Sequence, residues 1–363
     1  MPGSTPTGAL STPRPPAPDA AARALADWAL RHPDLDREDA PLLVAFSGGA
    51  DSTALLLAAL ARWGARVVAV HVHHGLQAAA DAFAAHTEQC CAAWGVAWQG
   101  VRVQVALPPG RSPEEAARAA RYAVLAQVAR GRHAAAVLLG HHALDQIETV
   151  LLALTRGAGL PGLAAMPERV ERDGVIWARP LLTADGRELR AQLAAAGVPW
   201  IEDPTNADPH PTRNRLRQQV LPALLQAFPQ VTQTVARSAR HAASAQALLQ
   251  TMAQEDLARI GVPPALPVLR ALPPPRLINA LRLWLREAHG AQASDAQWQA
   301  LARQIAAART RAQRIELRLG PGRIRRCGDT LQWQPDAASA ATTTTAATAA
   351  PTPADSCPRE SKN

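Results

Sequence analysis

Residues 42–63 have the sequence LLVAFSGGADSTALLLAALARW, and this stretch decides the fold. The apolar run at residues 42–46 is typical of a buried strand, and residues 52–63 have the composition of a helix that Gly64 closes. The hexapeptide Ser47-Gly48-Gly49-Ala50-Asp51-Ser52 lies between them. A strand, a glycine-rich turn and a helix in this order predict the first unit of an α/β domain.

The alternation of strand and helix continues to about residue 200. Further strands are predicted at residues 66–72, 96–105 and 136–140, and helices at 78–94, 113–129 and 145–155. This pattern is typical of a doubly wound parallel sheet with helices on both faces.

A change of pattern near residue 215 predicts a second domain. Residues 216–253 and 276–289 have helical patterns, Ser294 and Gln297 form a capping-box signal, and strands are predicted at 314–319 and 324–333. We expect an α/β domain over residues 18–225 and a smaller basic helical or α+β domain over 226–334. The Pro-, Thr- and Ser-rich segments 1–17 and 335–363 are expected to be disordered.

Charge is distributed unevenly along the chain, which has 363 residues and a net charge of +8. Residues 211–330 hold 18 arginines and 6 acidic residues, whereas residues 1–210 hold 18 arginines and 21 acidic residues. A strongly basic segment favours a polyanionic partner such as nucleic acid. An arginine-rich solvated helix face is the alternative explanation.

The types of residue present exclude several classes of enzyme. The only lysine is Lys362, whereas Walker-type nucleotide enzymes, protein kinases and Schiff-base enzymes need an internal lysine. The four cysteines form no Cys-x-x-Cys pair, which argues against zinc ribbons and thiol-ligated clusters. The chain has no long apolar run and no secretory signal, so we expect a cytoplasmic protein without a membrane span.

The hexapeptide combines features that bind anions with one that binds cations. Gly48 and Gly49 let the backbone approach a ligand closely, and amides such as that of Ala50 at a helix N-terminus bind anions. The hydroxyls of Ser47 and Ser52 add hydrogen-bond donors. The acid at position 51 would repel phosphate unless it holds Mg²⁺ that bridges to the phosphates. An ordinary strand–turn–helix junction with an N-cap serine is the alternative.

Acidic residues also follow the predicted strand at 136–140. Asp145 and Glu148 lie three residues apart, on one face of the first turn of a helix. Carboxylates there can hold a metal or accept a proton from an attacking amine. Helix capping would explain one acid, but it does not explain the adjoining pair His141 and His142.

Histidines occur at two predicted strand ends, as His73 and His74 and as His141 and His142. Side chains at the carboxyl ends of such strands line the nucleotide crevice, so His73 and His141 are candidate nucleotide contacts. A purely structural role is the alternative. A zinc site is disfavoured because no cysteine or acid lies at a supporting spacing.

These segments together resemble a known family. The hexapeptide resembles the loop of the N-type ATP pyrophosphatases, the PP-loop superfamily. Residues 140–149, 179–182, 200–206 and 213–222 resemble the signature of the tRNA(Ile)-lysidine synthetases within it. Leu144 stands where that family often has a second acid, and His73 where it usually has asparagine. The first difference leaves Asp145 as the working carboxylate of its motif.

The resemblance implies an activity. ATP would adenylate the wobble cytidine of the isoleucine tRNA with a CAU anticodon, and free L-lysine would displace AMP from C2, changing codon specificity from AUG to AUA. The basic domain would bind the tRNA. A tRNA thiolase of the same superfamily, which the cysteine pattern opposes, and a noncatalytic ATP- or RNA-binding sensor are the alternatives.

The resemblance also implies roles for individual residues. Asp51 and Asp145 would be catalytic and would hold Mg²⁺, with Asp145 alternatively binding the lysine ammonium or acting as general base. Arg213 would be catalytic, and the ATP contacts would be residues 47–52, His73 and His141. Contacts to the other substrates would come from His142, Glu148, Asn214 and Arg217. We expect no membrane partner, no further C-terminal domain of the kind that longer members carry, and a homodimer if the chain assembles.

Overall fold

The structure is a computed structural model that describes residues 14–37, 39–75, 80–105, 113–204, 212–310, 313–320 and 322–336. Residues 1–13 and 337–363, most of the two segments expected to be disordered, lie outside the described residues. Contacts divide the chain into two units, Met1–Ala243 and Ser244–Asn363. The boundary expected from sequence lies earlier, after residue 225.

A six-stranded sheet forms the centre of the described part of the first unit. Its strands are β1 (Leu42–Ala45), β2 (Val67–His73), β3 (Ala97–Arg102), β4 (Ala136–Leu138), β5 (Arg169–Arg172) and β6 (Val175–Ala178). The order is β3-β2-β1-β4-β6-β5, with every neighbouring pair parallel except β5 and β6. The doubly wound sheet is confirmed, and only its edge strand β5, which forms a hairpin with β6, runs antiparallel to its neighbour.

Helices cover both faces of this sheet. The described helices that begin in the first unit are α1 (Asp19–Arg31), α2 (Pro33–Arg37), α3 (Ala50–Trp63), α4 (Ala80–Trp94), α5 (Pro113–Gly131), α6 (Ala143–Thr155), α7 (Leu160–Leu163), α8 (Gly186–Ala195), α9 (Thr212–Arg215), α10 (Leu221–Ala227) and α11 (Val231–Ile260), the last of which crosses the unit boundary. Leu42 and Val44 pack in one core with α1, α3 and α8, whereas Leu43 packs in a second core with Leu125 of α5. Both faces of β1 are therefore buried, which is why its sequence is apolar without alternation.

The strand order creates a crevice between β1 and β4. The chain places β2 and β3 on one side of β1, and it places β6 and β5 on the far side of β4. Ligands of doubly wound sheets bind at such a switch point, outside the carboxyl ends of the strands. The hexapeptide follows β1, and Gly140 follows β4, so the two predicted motifs meet here.

The second unit is a small α+β module. Its elements are α12 (Leu266–Ala271), α13 (Pro274–His289), α14 (Asp295–Ala307) and the antiparallel strands β7 (Glu316–Leu319), β8 (Gly322–Cys327) and β9 (Thr330–Pro335). The capping box of Ser294 and Gln297 is present at the start of α14. The single strand predicted at 324–333 is wrong, because Gly328 has a positive φ of 58° and turns the chain between β8 and β9. Among the described helices of both units, none combines the length and the apolar character needed to span a membrane.

Candidate functional site

The loop between β1 and α3 is held in shape by its own hydroxyls. The Oγ atoms of Ser47 and Ser52 are 3.0 Å apart, and the Ser52 hydroxyl donates to the Gly49 carbonyl at 2.9 Å. Gly48 has a φ of 86°, and a Cβ there would lie 3.1 Å from the Thr87 methyl group. A side chain at position 48 is therefore disfavoured by both backbone conformation and space.

Gly140 brings the second motif against the first. A Cβ at Gly140 would lie 3.1 Å from the carbonyl carbon and oxygen of Asp51 and 3.1 Å from the amide nitrogen of Ser52. The obstructing atoms are backbone, so they cannot rotate away. Glycine at this position lets the end of β4 lie directly against the N-terminus of α3.

A buried histidine connects the two acids that sequence singled out. Nε2 of His142 lies 3.4 Å from Oδ2 of Asp51, and Nδ1 lies 3.6 Å from Oδ2 of Asp145. The backbone amide of His142 also donates to Oδ2 of Asp145 at 2.9 Å. His142 is 3% exposed, so its ring is fixed between the two carboxylates.

Asp51, His142 and Asp145 form a row, and the charges in this row stabilise one another. Burial raises the pKa of Asp51, but the hydrogen bond and charge of His142 and the charges of Arg190 and Arg217 outweigh it and hold that pKa below its ordinary value. Burial lowers the pKa of His142, but its contact with Asp51 and the charge of Asp145 raise that pKa overall. Asp51 is therefore an ionised carboxylate at neutral pH.

Arg217 and Glu148 form a bidentate ion pair beside this row. Nε of Arg217 donates to Oε1 of Glu148 at 2.7 Å, and Nη2 donates to Oε2 at 3.0 Å and to Oδ1 of Asp145 at 3.2 Å. Glu148 is 2% exposed, and burial raises its pKa despite the charges of Arg217 and Arg213. These two expected substrate contacts thus bind each other in this structure, joining α6 to the π-helical turn at 216–220.

Two more of the predicted residues lie on α9. Arg213 and Asn214 belong to this short helix, which comes immediately before the turn that carries Arg217. The positive charge of Arg213 acts on the cluster by lowering the pKa of Glu148. Helix α9 thus places Arg213 near the row, in addition to Arg217.

The remaining histidines occupy separate positions. His73 forms a contact of 3.0 Å between Nε2 and Oδ1 of Asp81, on α4. Burial and nearby arginine charges lower the pKa of His141 to about 3 and that of His74 to about 4, so both rings are neutral at physiological pH. Within the residues that the structure describes, no three His, Cys, Asp or Glu side chains are placed to share a metal.

Arg190 on α8 is a member of the site that sequence reasoning missed. Its Nη2 lies 3.4 Å from Oδ2 of Asp51. The fold of α8 against His142 explains this, because a Cβ at Gly186 would lie 2.7 Å from Nε2 of His142. The sequence offers only a weak signal, since Arg187 has the same charge yet pairs with Asp185 at 2.9 Å.

The expected magnesium ligands fit a cation in one respect. Oδ1 of Asp51 is buried and has no hydrogen-bond partner among the described residues. An orphaned carboxylate oxygen is costly unless a cation or donor satisfies it when ligands bind. Asp51, with Asp145 across His142, therefore has the donor chemistry that Mg²⁺ prefers.

Comparison with known proteins identifies two domains in the chain. Residues 23–224 match the model of the PP-loop domain, and residues 265–332 match that of the TilS substrate binding domain. A solved structure, the U34-tRNA thiolase NcsA from Methanococcus maripaludis with its [4Fe-4S] cluster, aligns with a TM-score of 0.53 at 14% identity over 61% of this chain and 76% of that chain. At that identity the likeness shows the fold alone.

Curated relatives identify the family more narrowly than the solved structure does. The tRNA(Ile)-lysidine synthase of Polaromonas naphthalenivorans (strain CJ2) is 53% identical over 300 residues, which cover 83% of this chain and 91% of the relative. That of Pseudomonas putida (KT2440) is 47% identical over 67% of this chain and 60% of the relative. The chain therefore belongs to the tRNA(Ile)-lysidine synthase family of PP-loop ATP pyrophosphatases.

Proposed function

We propose that this chain uses ATP to join the ε-amine of free lysine to C2 of the wobble cytidine of the isoleucine tRNA with a CAU anticodon. The cytidine is activated by adenylation at O2, pyrophosphate and then AMP leave, and the product tRNA decodes AUA in place of AUG. The observation that carries the proposal is the row Asp51–His142–Asp145 beside the glycine-rich loop, at the switch point of the sheet.

The loop is suited to hold the phosphates. Its hydroxyls are already oriented by the contacts between Ser47 and Ser52, and α3 begins directly after Gly49 with its first amides pointing out of the helix. Backbone donors fixed before the substrate arrives need no reorganisation as charge develops on the leaving group. With only Lys362 in the chain, these donors take the place of a phosphate-binding lysine.

Asp51 and Asp145 are the residues that would hold Mg²⁺. A bound Mg²⁺ supplies charge neutralisation for the phosphates. His142 lies between the two carboxylates, and the charges of Arg190 and Arg217 help to hold the pKa of Asp51 below its ordinary value. Asp145 also carries the acidic character that a positively charged amine needs in order to approach.

The second unit is suited to bind the tRNA. Residues 244–330, which belong to this unit, hold 13 arginines and 6 acidic residues. Strands β7 and β8 present Arg318 and Arg323 at the surface, where each also pairs with one acid. Arginine contacts to phosphates release counterions, so each contact adds about 0.7–0.9 to the slope of log K against log salt. Replacing Arg318 and Arg323 by glutamine should weaken tRNA binding and flatten that slope without changing the KM for ATP.

The decisive experiment compares Asp51→Asn with wild type and with Glu171→Gln, a control on the edge strand β5. Wild type and the control should form pyrophosphate from ATP in a tRNA-dependent manner and add one lysine to the tRNA, measured by mass spectrometry of its nucleosides. Asp51→Asn should lose both activities and stay folded. Transfer of sulfur in place of lysine would favour the thiolase alternative, and full activity of Asp51→Asn would refute its role.

The proposed function also includes a cellular compartment and an assembly state. The substrates tRNA, ATP and lysine are those of the cytoplasm, where free cysteines such as Cys90 and Cys91 stay reduced. A homodimer is the assembly to be tested, by light scattering on the purified chain. A mass of one chain, 38.4 kDa, would show that it works as a monomer.

A further inference from the structure

A buried glutamine in α6 binds the backbone of a segment 20 residues further along the chain. Gln146 directly follows Asp145 near the start of the helix and is 7% exposed. Its Nε2 donates to the carbonyl oxygen of Met166 at 2.8 Å, and its Oε1 accepts from the amide of Met166 at 2.9 Å. One side-chain amide thus satisfies both backbone groups of Met166, as a paired residue of a neighbouring antiparallel strand would.

The next two carbonyl groups of this segment are bound by Arg179. Its Nη1 donates to the carbonyl oxygen of Pro167 at 2.9 Å, and its backbone amide donates to that of Glu168 at 2.8 Å. Arg179 directly follows β6 and is 7% exposed. Three successive residues, which we call the 166–168 segment, therefore have their carbonyl groups bound by α6 and by the end of β6.

The buried guanidinium of Arg179 is costly for the fold. Among the described residues it has no acidic partner, and its buried Nε has no hydrogen-bond partner. A buried charge without a partner of opposite sign destabilises a protein, and an apolar side chain would avoid that cost. Because each such group in a native structure needs an explanation, Arg179 indicates a functional role in addition to packing.

The residue before the segment has a strained backbone. Ala165 has a φ of 54°, in the left-handed region that glycine adopts freely and other residues adopt at a cost. Such conformations persist where the surrounding structure imposes them, and they cluster at functional sites. The hydrogen bonds of Gln146 and Arg179 to the 166–168 segment restrain the chain directly after Ala165.

These bonds connect the segment to the helix start that carries the acidic side chains of the site. His142 is the N-cap of α6, and its amide donates to Oδ2 of Asp145 at 2.9 Å. Gln146 lies between Asp145 and Glu148 in the chain, so a shift of the helix start would move both carboxylates. The 166–168 segment therefore restrains the position of these carboxylates.

We propose that Gln146 and Arg179 are positioning residues, which fix the start of α6 against the 166–168 segment and thereby place Asp145 for the reaction. The inference rests on the proposed function, in which Asp145 is a Mg²⁺ ligand. Gln146 acts without touching a substrate, because both ends of its amide are used on Met166.

The kinetics of Gln146→Met and Arg179→Met test this assignment. Each substitution should lower the kcat for lysine attachment about tenfold, since misplacing a reacting group by a fraction of an ångström costs a rate factor of about that size. The Mg²⁺ concentration that gives the half-maximal rate should rise. The KM for ATP should stay within about twofold of wild type, because the loop at residues 47–52 is shaped by its own hydroxyls. Arg179→Lys, which keeps a cationic donor, should recover part of the rate.

Gln192→Met is the matched control for these variants. The Oε1 of Gln192, on α8, also accepts from a distant backbone amide, that of Ala20 at 2.9 Å. Its loss removes a bond of the same kind without touching α6 or the 166–168 segment. Its kinetics should equal those of wild type.

The double variant shows whether the two residues act through the same segment. If they do, Gln146→Met/Arg179→Met should lose about tenfold in kcat, as each single variant does, and not the roughly hundredfold product of two independent effects. Hydrogen exchange of the protein without ligands gives a second readout. The amides of the 166–168 segment and of the start of α6 should exchange faster in both single variants, and those of α3 should not change.

Gln146→Met is close in shape to the wild-type side chain, so it carries the test if Arg179→Met does not fold. A folded Gln146→Met variant whose kcat stays within about twofold of wild type would overturn the assignment, as would a double variant that loses about a hundredfold. A wild-type chain that attaches no lysine at all would instead refute the proposed function, and hydrogen exchange would still show whether the two residues fix the start of α6.

Discussion

Removing Arg217 should destabilise the first unit in a way that depends on pH. Arg217→Met deletes both prongs of the contact to Glu148, which is 2% exposed, and leaves that carboxylate buried without its partner. Breaking a fully buried ion pair costs about 3–5 kcal/mol. The Arg217 side chain is 42% exposed, so solvent screens part of the interaction, and we expect a loss of about 2 kcal/mol at pH 8.

The direction of the pH dependence follows from the pKa of Glu148. Burial already raises that pKa above its ordinary value, and loss of Arg217 should raise it further in the folded variant. A carboxyl whose folded pKa is raised destabilises the protein above that pKa, and the penalty disappears below the unfolded pKa of about 4.3. The difference between variant and wild type should therefore be largest at pH 8 and shrink toward zero near pH 4.

Urea denaturation followed by tryptophan fluorescence measures this at both pH values. Hydrogen exchange of the α6 amides then shows whether the change is local to that helix. The double variant Glu148→Gln/Arg217→Met should recover part of the loss, because no buried charge remains. A loss below about 0.5 kcal/mol at pH 8, or an equal loss at both pH values, would refute the conclusion that the loss comes from the buried, unpaired carboxylate of Glu148.

Three further predictions concern other parts of the molecule. Gly140→Ala should raise the KM for ATP and lower stability by about 1–3 kcal/mol, because its Cβ meets backbone at 3.1 Å; Gly131→Ala, with open space around it, is the control for both kinetics and urea denaturation. Cys90 and Cys91 are buried with raised pKa values, about 12 for Cys91, so iodoacetamide at pH 8 should alkylate them only after unfolding, as read by mass spectrometry. Ser294→Ala should cost the second unit about 1 kcal/mol in urea denaturation through loss of the N-cap.

Local sequence signals were sufficient to predict the centre of the fold. β1, the glycine-rich turn and α3 follow from an apolar run, two glycines and a helical pattern within 22 residues, although α3 begins at Ala50 and the prediction began it at residue 52. The β5–β6 hairpin was not predicted because β5 contains Arg169, Glu171 and Arg172, and these charged residues leave no apolar run that would indicate a strand. Its signal was the turn at residues 173 and 174, where an aspartate and a glycine both have positive φ.

Partners across long stretches of chain could not be predicted. Sequence singled out Glu148 and Arg217, but spacing does not reveal that they bind each other, since 69 residues separate them. The contact of Arg190 with Asp51 spans 139 residues and depends on how the start of α8 packs against His142. Only the completed sheet determines which arginine lies beside which acid.

The long sequence separation of Glu148 and Arg217 also affects the order in which the ion pair is completed during translation. At 5–20 residues per second, a ribosome needs roughly 3–14 s to synthesise the 69 residues from Glu148 to Arg217. The chain contains residues 47–52 throughout that time, and it contains all six strands once Ala178 has been added, yet Glu148 has no Arg217 to pair with until the end of it. The glycine-rich loop is therefore synthesised well before the arginine that balances the charge of Glu148.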